Sequence, residues 1–303
     1  MLRFTPIALQ DLPVLRNCFC RNPDRLCDVT VGGEFLWRDY YSVQWAEYAG
    51  ALCLMAHYPE EDFIAFSYPI GGDEDAALEA LARYAKAQGI PIIFCPASQT
   101  DTAKITSRWP AAVIEPQRRW YDYLYAAQDL RELAGRKFGG QRNHINRFKK
   151  ENPGWRFEHL CTENLPQVKE FYSELLQQEG KQFASMEEET AKTWEVLDTW
   201  PLYGFVGGVL FADDRVVAFS LAETAGDTLY VHIEKASRAV HGAYPMIVQQ
   251  TACAFTPGKN GEVVWIIRED DAGDEGLRTV KLSYHPAQII PKNKITVSPE
   301  MLD

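Results

Sequence analysis

The stretch GFVGGVLFADDRVVAFSLAETAGDTLYVHIE, Gly204 to Glu234, decides the fold. It reads as three β-strands, Gly204 to Ala212, Arg215 to Glu223 and Thr228 to Glu234, because β-branched and aromatic residues fill each run. Asp213-Asp214 and Gly226-Asp227 divide the runs as two-residue turns, so the strands form an antiparallel meander. Downstream, Ala243 to Phe255 reads as a helix, with Pro245 in the first turn where a missing N–H costs little. Val263 to Ile267 reads as a buried strand, Asp274 to Tyr284 as a helix and Gln288 to Val297 as a last strand. Upstream, Trp155 to Leu160 is strand-like. A helix beginning near Glu163-Asn164 carries the stripe Leu165, Val168, Phe171, Tyr172, Leu175 and Leu176, and a second helix runs from Glu187 to Thr199. The predicted order is β-α-α-β-β-β-α-β-α-β.

The N-terminal half gives a similar order. A strand near Arg3, a helix from Asp11, hairpin strands around Trp45 to His57 and a strand from Phe63 to Tyr68 are followed by a helix with Leu78, Leu81 and Ala85 on one face. Then come a strand from Pro91 to Cys95, a short helix ending near Trp109 and a strand from Trp120 to Tyr125. The halves share no sequence repeat. The fold class is therefore α/β (α+β), with two similar domains, each a mixed central sheet flanked by helices. The expected divisions are an N-terminal domain over 1–130, a basic linker helix over 131–152 and a C-terminal domain over 153–303 that carries the active site. This element order resembles the GNAT acyltransferase fold, and two such domains in tandem resemble the Fem-type aminoacyltransferases.

Composition narrows the function classes. The 303 residues carry a formal charge of −11, which excludes a generally basic nucleic-acid coat, and 46% hydrophobic residues exclude a disordered chain. The longest nearly apolar run, Ala49 to Ala56, is far shorter than the ~18 to 20 residues of a membrane span. No signal-peptide pattern opens the sequence, so a cytoplasmic location is the expectation. Seven cysteines, an odd number, read as reduced thiols. Cys18, Cys20 and Cys27 lack a fourth ligand at finger-like spacing, so no metal site is expected.

Three segments could carry chemistry. The first breaks with the acidic average: Arg131, Arg136, Lys137, Arg142, Arg147, Lys149 and Lys150 stand against Glu132 alone. On a helix, Arg142, Asn143, Asn146, Arg147, Lys149 and Lys150 share one side, while Phe138, Ile145 and Phe148 fall opposite, ready to dock. Such a face is either a solvated linker or the place where an anionic partner is steered: tRNA phosphates, coenzyme A or anionic lipid. The second is the strand-to-helix turn His232 to Tyr244, where Gly242 and Ala243 open a helix whose N–H groups would suit a phosphate. In coenzyme A-dependent GNAT enzymes this turn carries Arg or Gln three residues before the first glycine, and here that position is Ala239. The third is Arg268 to Pro286, whose Arg268, Glu269 and Asp270 follow directly on a buried strand, a common place for binding residues.

Arg268-Glu-Asp-Asp271 and Gly276-Leu-Arg-Thr-Val-Lys-Leu-Ser-Tyr-His-Pro286 closely resemble the C-terminal signature of the phosphatidylglycerol lysyltransferase C-terminal-domain family. So do Gly135-Arg-Lys137, Gln141-Arg-Asn-His-Ile-Asn-Arg-Phe148, His232-Ile-Glu-Lys-Ala236 with Gly242-Ala-Tyr244, and Cys27-Asp-Val-Thr-Val-Gly32 with Trp37-Arg38. The resemblance implies a tandem GNAT fold and transfer of an aminoacyl group from aminoacyl-tRNA to a lipid hydroxyl, as in characterised members. With no spanning segment in view, the acceptor could instead be soluble: a peptide, an amino acid or a polyamine.

Aminoacyl transfer needs a base for the acceptor, stabilisation of an oxyanion and an acid for the leaving group. Tyr284 sits where many GNAT enzymes keep that acid. Glu234, at the end of the central strand, is the candidate base, with Asp270 second. His232 alternates with Glu234 along the strand and should point the same way, so it, Tyr244 and Glu269 are assigned to the substrate cleft. Arg268, Arg278 and Lys281 are candidates for donor phosphates or an acceptor carboxylate, and Lys137, Arg142, Arg147 and Lys149 for the tRNA or coenzyme backbone. No tightly bound cofactor is expected, and aminoacyl-tRNA or acyl-CoA would be a co-substrate. Two other readings stay open: an acyl-CoA-dependent N-acyltransferase, and a non-catalytic RNA- or metabolite-binding protein on the same fold.

Overall fold

The computed structural model describes residues 2–20, 24–179, 184–256 and 263–301. They form two compact units, one of residues 1–121 and 290–303, the other of residues 122–289.

The first unit contains β1 (Thr5–Pro6), α1 (Leu12–Phe19), α2 (Val31–Trp37), β2 (Gln44–Tyr48), β3 (Ala51–Tyr58), β4 (Phe63–Phe66), α3 (Glu74–Gln88), β5 (Ile92–Ala97), α4 (Gln99–Arg108) and β6 (Val113–Pro116). Helix α3 starts where the Asp73 carboxylate accepts the Ala76 N–H and stops at Gly89, which takes the left-handed conformation. Between those signals Ala77, Leu78, Leu81 and Ala85 are buried with Phe66 and Phe94 of the sheet. Truncating a buried leucine such as Leu81 costs about 2–5 kcal/mol.

The second unit contains β7 (Asp122–Ala126), α5 (Ala127–Glu132), α6 (Gly139–Glu151), β8 (Arg156–His159), α7 (Leu165–Glu179), α8 (Ala184–Asp198), α9 (Trp200–Tyr203), β9 (Val206–Ala212), β10 (Arg215–Ala225), β11 (Thr228–Ala236), α10 (Ala243–Phe255), β12 (Trp265–Ile267), α11 (Glu275–Leu282) and β13 (Gln288–Ile290). The chain then returns to the first unit as β14 (Asn293–Val297). The first sheet has the order β1-β2-β3-β4-β5-β14-β6, the second β13-β7-β12-β11-β10-β9-β8. Each is a mixed sheet flanked by helices.

The boundaries differ from those read off the sequence. The expected last strand, Gln288 to Val297, is two strands in different sheets, interrupted at Pro291, which has no N–H for a ladder. The strand near Trp120 is β7, and it pairs with β12 of the second sheet rather than closing the first. Helix α6 packs inside the second unit, with Phe138, Ile145 and Phe148 buried as the helical wheel required. Helix α2 escaped notice because Gly32 and Gly33 weaken its helical pattern; Gly33 is nonetheless required, since a Cβ there would lie 2.0 Å from the Cys27 carbonyl oxygen.

Two irregularities shape the second sheet. Strand β11 pairs in parallel with β12 only at Thr228, Leu229 and Tyr230, so from Val231 onward its β12 side has no strand neighbour. On the other side, the step from Val231 to Ile233 on β11 opposes the single step from Ala222 to Leu221 on β10. His232 is thus the extra residue of a β-bulge, and the alternation expected to align it with Glu234 is broken there.

Candidate active site

Where β11 parts from β12, two ion pairs cross the gap. Arg268, the first residue after β12, donates from Nε and Nη2 to Glu234 Oε2 at 2.8 and 2.6 Å. Both side chains are buried, at 4% and 8% exposure. The third nitrogen, Arg268 Nη1, is buried with no hydrogen-bond partner among the described residues. Burial alone would pull the Arg268 guanidinium down, and Glu234 more than offsets it, holding the group above its usual range. The guanidinium carbon lies 4.9 Å from the centre of the buried Tyr284 ring. Burial pushes the Tyr284 hydroxyl up to about 12, an effect that Arg268 opposes and Glu234 reinforces, so the phenol stays protonated at neutral pH. Tyr244, in the first turn of α10, has its hydroxyl raised by burial and then by Glu234.

The second pair is built on the bulge. His232 is fully buried between Glu269, 2.7 Å from Nδ1, and Glu223, 2.8 Å from Nε2. Burial would lower the imidazole, but the two carboxylates hold it at about 9, a buried imidazolium. Glu269 has a φ of +52°, the left-handed region that costs a non-glycine residue of order 1–3 kcal/mol. Its carbonyl oxygen accepts the Tyr123 N–H at 3.3 Å. His232 and Glu234 are therefore brought into one region but on separate partners, a correction to the shared direction expected from alternation.

The loop carrying these residues is clamped from below. Asp271, fully buried, accepts two bonds from Arg278, both at 2.9 Å, one from the Tyr123 hydroxyl at 2.6 Å and one from the Gly273 N–H at 2.9 Å. Lys281 is buried and donates to the carbonyl oxygens of Arg268 and Asp270, and burial lowers its ammonium. Tyr125 donates to the Lys281 carbonyl at 2.8 Å. Arg278 and Lys281, expected at donor phosphates or an acceptor carboxylate, thus hold the loop. Asp270 uses Oδ1 to accept the Ala272 N–H at 2.8 Å.

The glycine turn also has another use. Gly242 has a φ of +79°, and a Cβ there would lie 2.3 Å from the carbonyl oxygen of His144 on α6. The residue is small so that α6 can press on the start of α10. In that first turn the Ala243 N–H is taken by Val240 and Pro245 has none. On the basic segment, Arg142 donates to the carbonyl oxygens of Leu133 and Gly135, Lys137 pairs with Asp129 at 2.9 Å, and Lys149 lies 5.3 Å from the Trp155 ring. Arg147 pairs with Glu151 at 2.7 Å on an exposed face. Of the four cations nominated for a nucleic-acid backbone, Arg142 is committed to closing the turn before α6.

Sequence reasoning missed Glu223 and Tyr125. Glu223 could have been found by counting register across the hairpin, since it lies opposite Tyr230, two residues before His232. Nothing in the pattern marked Tyr125.

The model of the phosphatidylglycerol lysyltransferase C-terminal family matches residues 25–293. The chain belongs to this family. The residues of the gap and its clamp, Arg268, Glu269, Asp271, Arg278, Lys281 and Tyr284, lie within the matched span. No curated protein matches the sequence. Among solved structures, a conserved protein of unknown function from Bacteroides thetaiotaomicron is 27% identical, with a TM-score of 0.86 over 98% of this chain and 100% of that one. L-PGS from Bacillus licheniformis is 15% identical, with a TM-score of 0.65 over 97% of this chain and 92% of that one. FemX is 10% identical, with a TM-score of 0.56 over 96% of each chain. Those last two show the fold, the tandem GNAT arrangement expected from element order. Family and fold together point to an acyltransferase. No helix among the described residues is long and apolar enough to cross a membrane.

Proposed function

We propose that the protein transfers an aminoacyl group from aminoacyl-tRNA to an amine or hydroxyl, on a soluble acceptor or a lipid headgroup. The observation that carries this reading is the unpartnered Nη1 of Arg268, buried where β11 parts from β12 and beside the protonated Tyr284. A buried N–H without an acceptor costs about 1–3 kcal/mol, and a carbonyl oxygen that becomes negative during acyl transfer would recover it and more. Tyr284, protonated at neutral pH, is the candidate acid for the leaving ribose oxygen. Glu234 keeps Oε1 for a substrate N–H, whereas Asp270 is occupied by Ala272, so Glu234 is the better of the two candidate bases.

The choice of donor rests on what surrounds the gap. The missing Arg or Gln register before Gly242 argues against coenzyme A. Arg147, in an exposed pair that is worth little by itself, and Lys150 on the outer face of α6 can turn to tRNA phosphates. The family's description as a phosphatidylglycerol lysyltransferase is consistent with a lysyl donor. The test offers pools of charged tRNA and of acyl-CoA in parallel to the intact protein and follows loss of the labelled group in the presence of amines, peptides and lipid vesicles. Consumption of charged tRNA supports the proposal. Consumption of acyl-CoA alone overturns it in favour of an N-acyltransferase, and binding of tRNA without turnover leaves a binding protein.

A further inference from the structure

We propose that His144 and His241 form a chelating site for a divalent transition-metal ion, which ties α6 to the turn before α10; the proposal is independent of the reaction assigned above. His144 Nδ1 and His241 Nε2 face each other at 2.9 Å, with ring centres 4.9 Å apart. Imidazole nitrogens come that close only when something lies between them, a proton on one ring or a metal ion shared by both. With metal–nitrogen bonds of about 2.0–2.1 Å, two imidazole nitrogens stand about 2.9 Å apart at a right-angled metal and about 3.3 Å apart at a tetrahedral one. The observed separation is the first of these, the spacing of neighbouring ligands on an octahedral or square-planar ion, and a shift of about 0.4 Å gives the second.

The backbone sets this spacing. Gly242, which follows His241, lies so near α6 that a Cβ on it would meet the carbonyl oxygen of His144 itself at 2.3 Å. Around that contact, Ile145 and Phe148 of α6 and Ala243 and Met246 of α10 are buried in one core. The two histidines thus flank a close approach of two packed elements, and ligands positioned before the ion arrives give up little freedom when it binds. His144 is exposed and His241 half-buried, so water can complete the coordination. Neither ring has another hydrogen-bond partner among the described residues, so the shared proton can pass to an outer ring nitrogen as the ion replaces it. Arg147, one turn along α6, is paired with Glu151 at 2.7 Å, which offsets its charge. Two imidazoles and water suit nickel, copper or zinc and not magnesium or calcium, which take oxygen ligands.

The test uses the intact, untagged protein, stripped with a chelator and titrated calorimetrically with nickel, zinc and magnesium chlorides. Nickel and zinc should each fill one saturable site, and magnesium none. His144→Gln and His241→Gln should each weaken both ions by about 10- to 100-fold or more, since loss of even an outer partner of a metal ligand costs that much. In chelator both variants should unfold close to the wild-type midpoint, and nickel should raise that midpoint in the wild type alone, because only there does it bridge two elements of the folded chain. No saturable uptake of nickel or zinc would overturn the inference and leave the pair a hydrogen bond alone. Uptake that survives in both variants would also overturn it, placing the ion elsewhere, such as at the exposed thiols of Cys20 and Cys253. A measurement on the wild type covers the case of a variant that fails to fold: nickel should block carbethoxylation of His144 and His241 by diethyl pyrocarbonate, mapped by peptide mass. Modification of both at the metal-free rate would overturn the inference.

Discussion

Replacing His232 by glutamine should remove a pH dependence of stability that the wild type owes to a single buried proton. In the unfolded chain the imidazole titrates near 6.5, whereas between Glu223 and Glu269 it holds its proton to about 9. The contribution is complete below pH 6.5 and is lost as the pH rises through 9. Over that window the native state binds one proton more than the unfolded state, so stability falls by about 1.4 kcal/mol per pH unit, about 3 kcal/mol in all. Glu34 adds a decline of its own. Burial and then the charge of Asp28 raise its carboxyl to about 8, so its protonated form favours the fold below 4.5 and that advantage is gone by pH 8. The assay is therefore a difference: urea unfolding followed by tryptophan fluorescence at half-unit steps from pH 6 to 10, wild type minus His232→Gln. The difference should shrink by about 3 kcal/mol between pH 6.5 and 9 and be flat outside that range. A difference that stays constant through the window would refute the assignment of His232 as an imidazolium.

Gly242→Ala combines a left-handed residue with a Cβ 2.3 Å from the His144 carbonyl oxygen, so it should cost about 2–4 kcal/mol and lower the melting temperature of the second unit by several degrees. Were Gly242 instead a phosphate cradle, stability would hold and donor affinity alone would fall. Arg278→Ala removes two charge-assisted bonds from the fully buried Asp271, and chemical denaturation should show a lower unfolding midpoint. Arg147→Glu and Lys150→Glu should weaken tRNA binding and each lower the slope of log affinity against log salt by about 1, as read in filter-binding titrations. Arg142→Ala should leave that slope unchanged and cost about 1–2 kcal/mol of stability, because its guanidinium bridges Leu133 and Gly135.

The fold was legible where local signals and tertiary pairing agree. The meander from Val206 to Ala236, helix α10 and the docking face of α6 follow from periodicity, turn residues and capping. The exchange of β7 and β14 between sheets was not legible, because a strand's composition says that it pairs and not with what. Around the site, Arg268 and Glu269 stood out because charged residues directly after a buried strand have no structural excuse. What each charge does was hidden. Arg278 and Lys281 look like ligand cations in sequence and prove to be clamps, since only the fold reveals that Asp271 and the loop carbonyls lie beside them. The bulge at His232 could not be foreseen either: one extra residue on β11 reverses every direction beyond it, and nothing local announces it.

The central claim is that Arg268 Nη1 meets the carbonyl oxygen of an aminoacyl ester, and the most direct measurement is single-turnover release of label from charged tRNA by wild type and by Arg268→Lys. A lysine can keep one contact to Glu234 but has no second planar N–H to aim at the substrate. The rate should fall by about 100-fold or more, with tRNA affinity and the unfolding midpoint close to wild type. A folded Arg268→Lys variant that discharges aminoacyl-tRNA at the wild-type rate would contradict the claim.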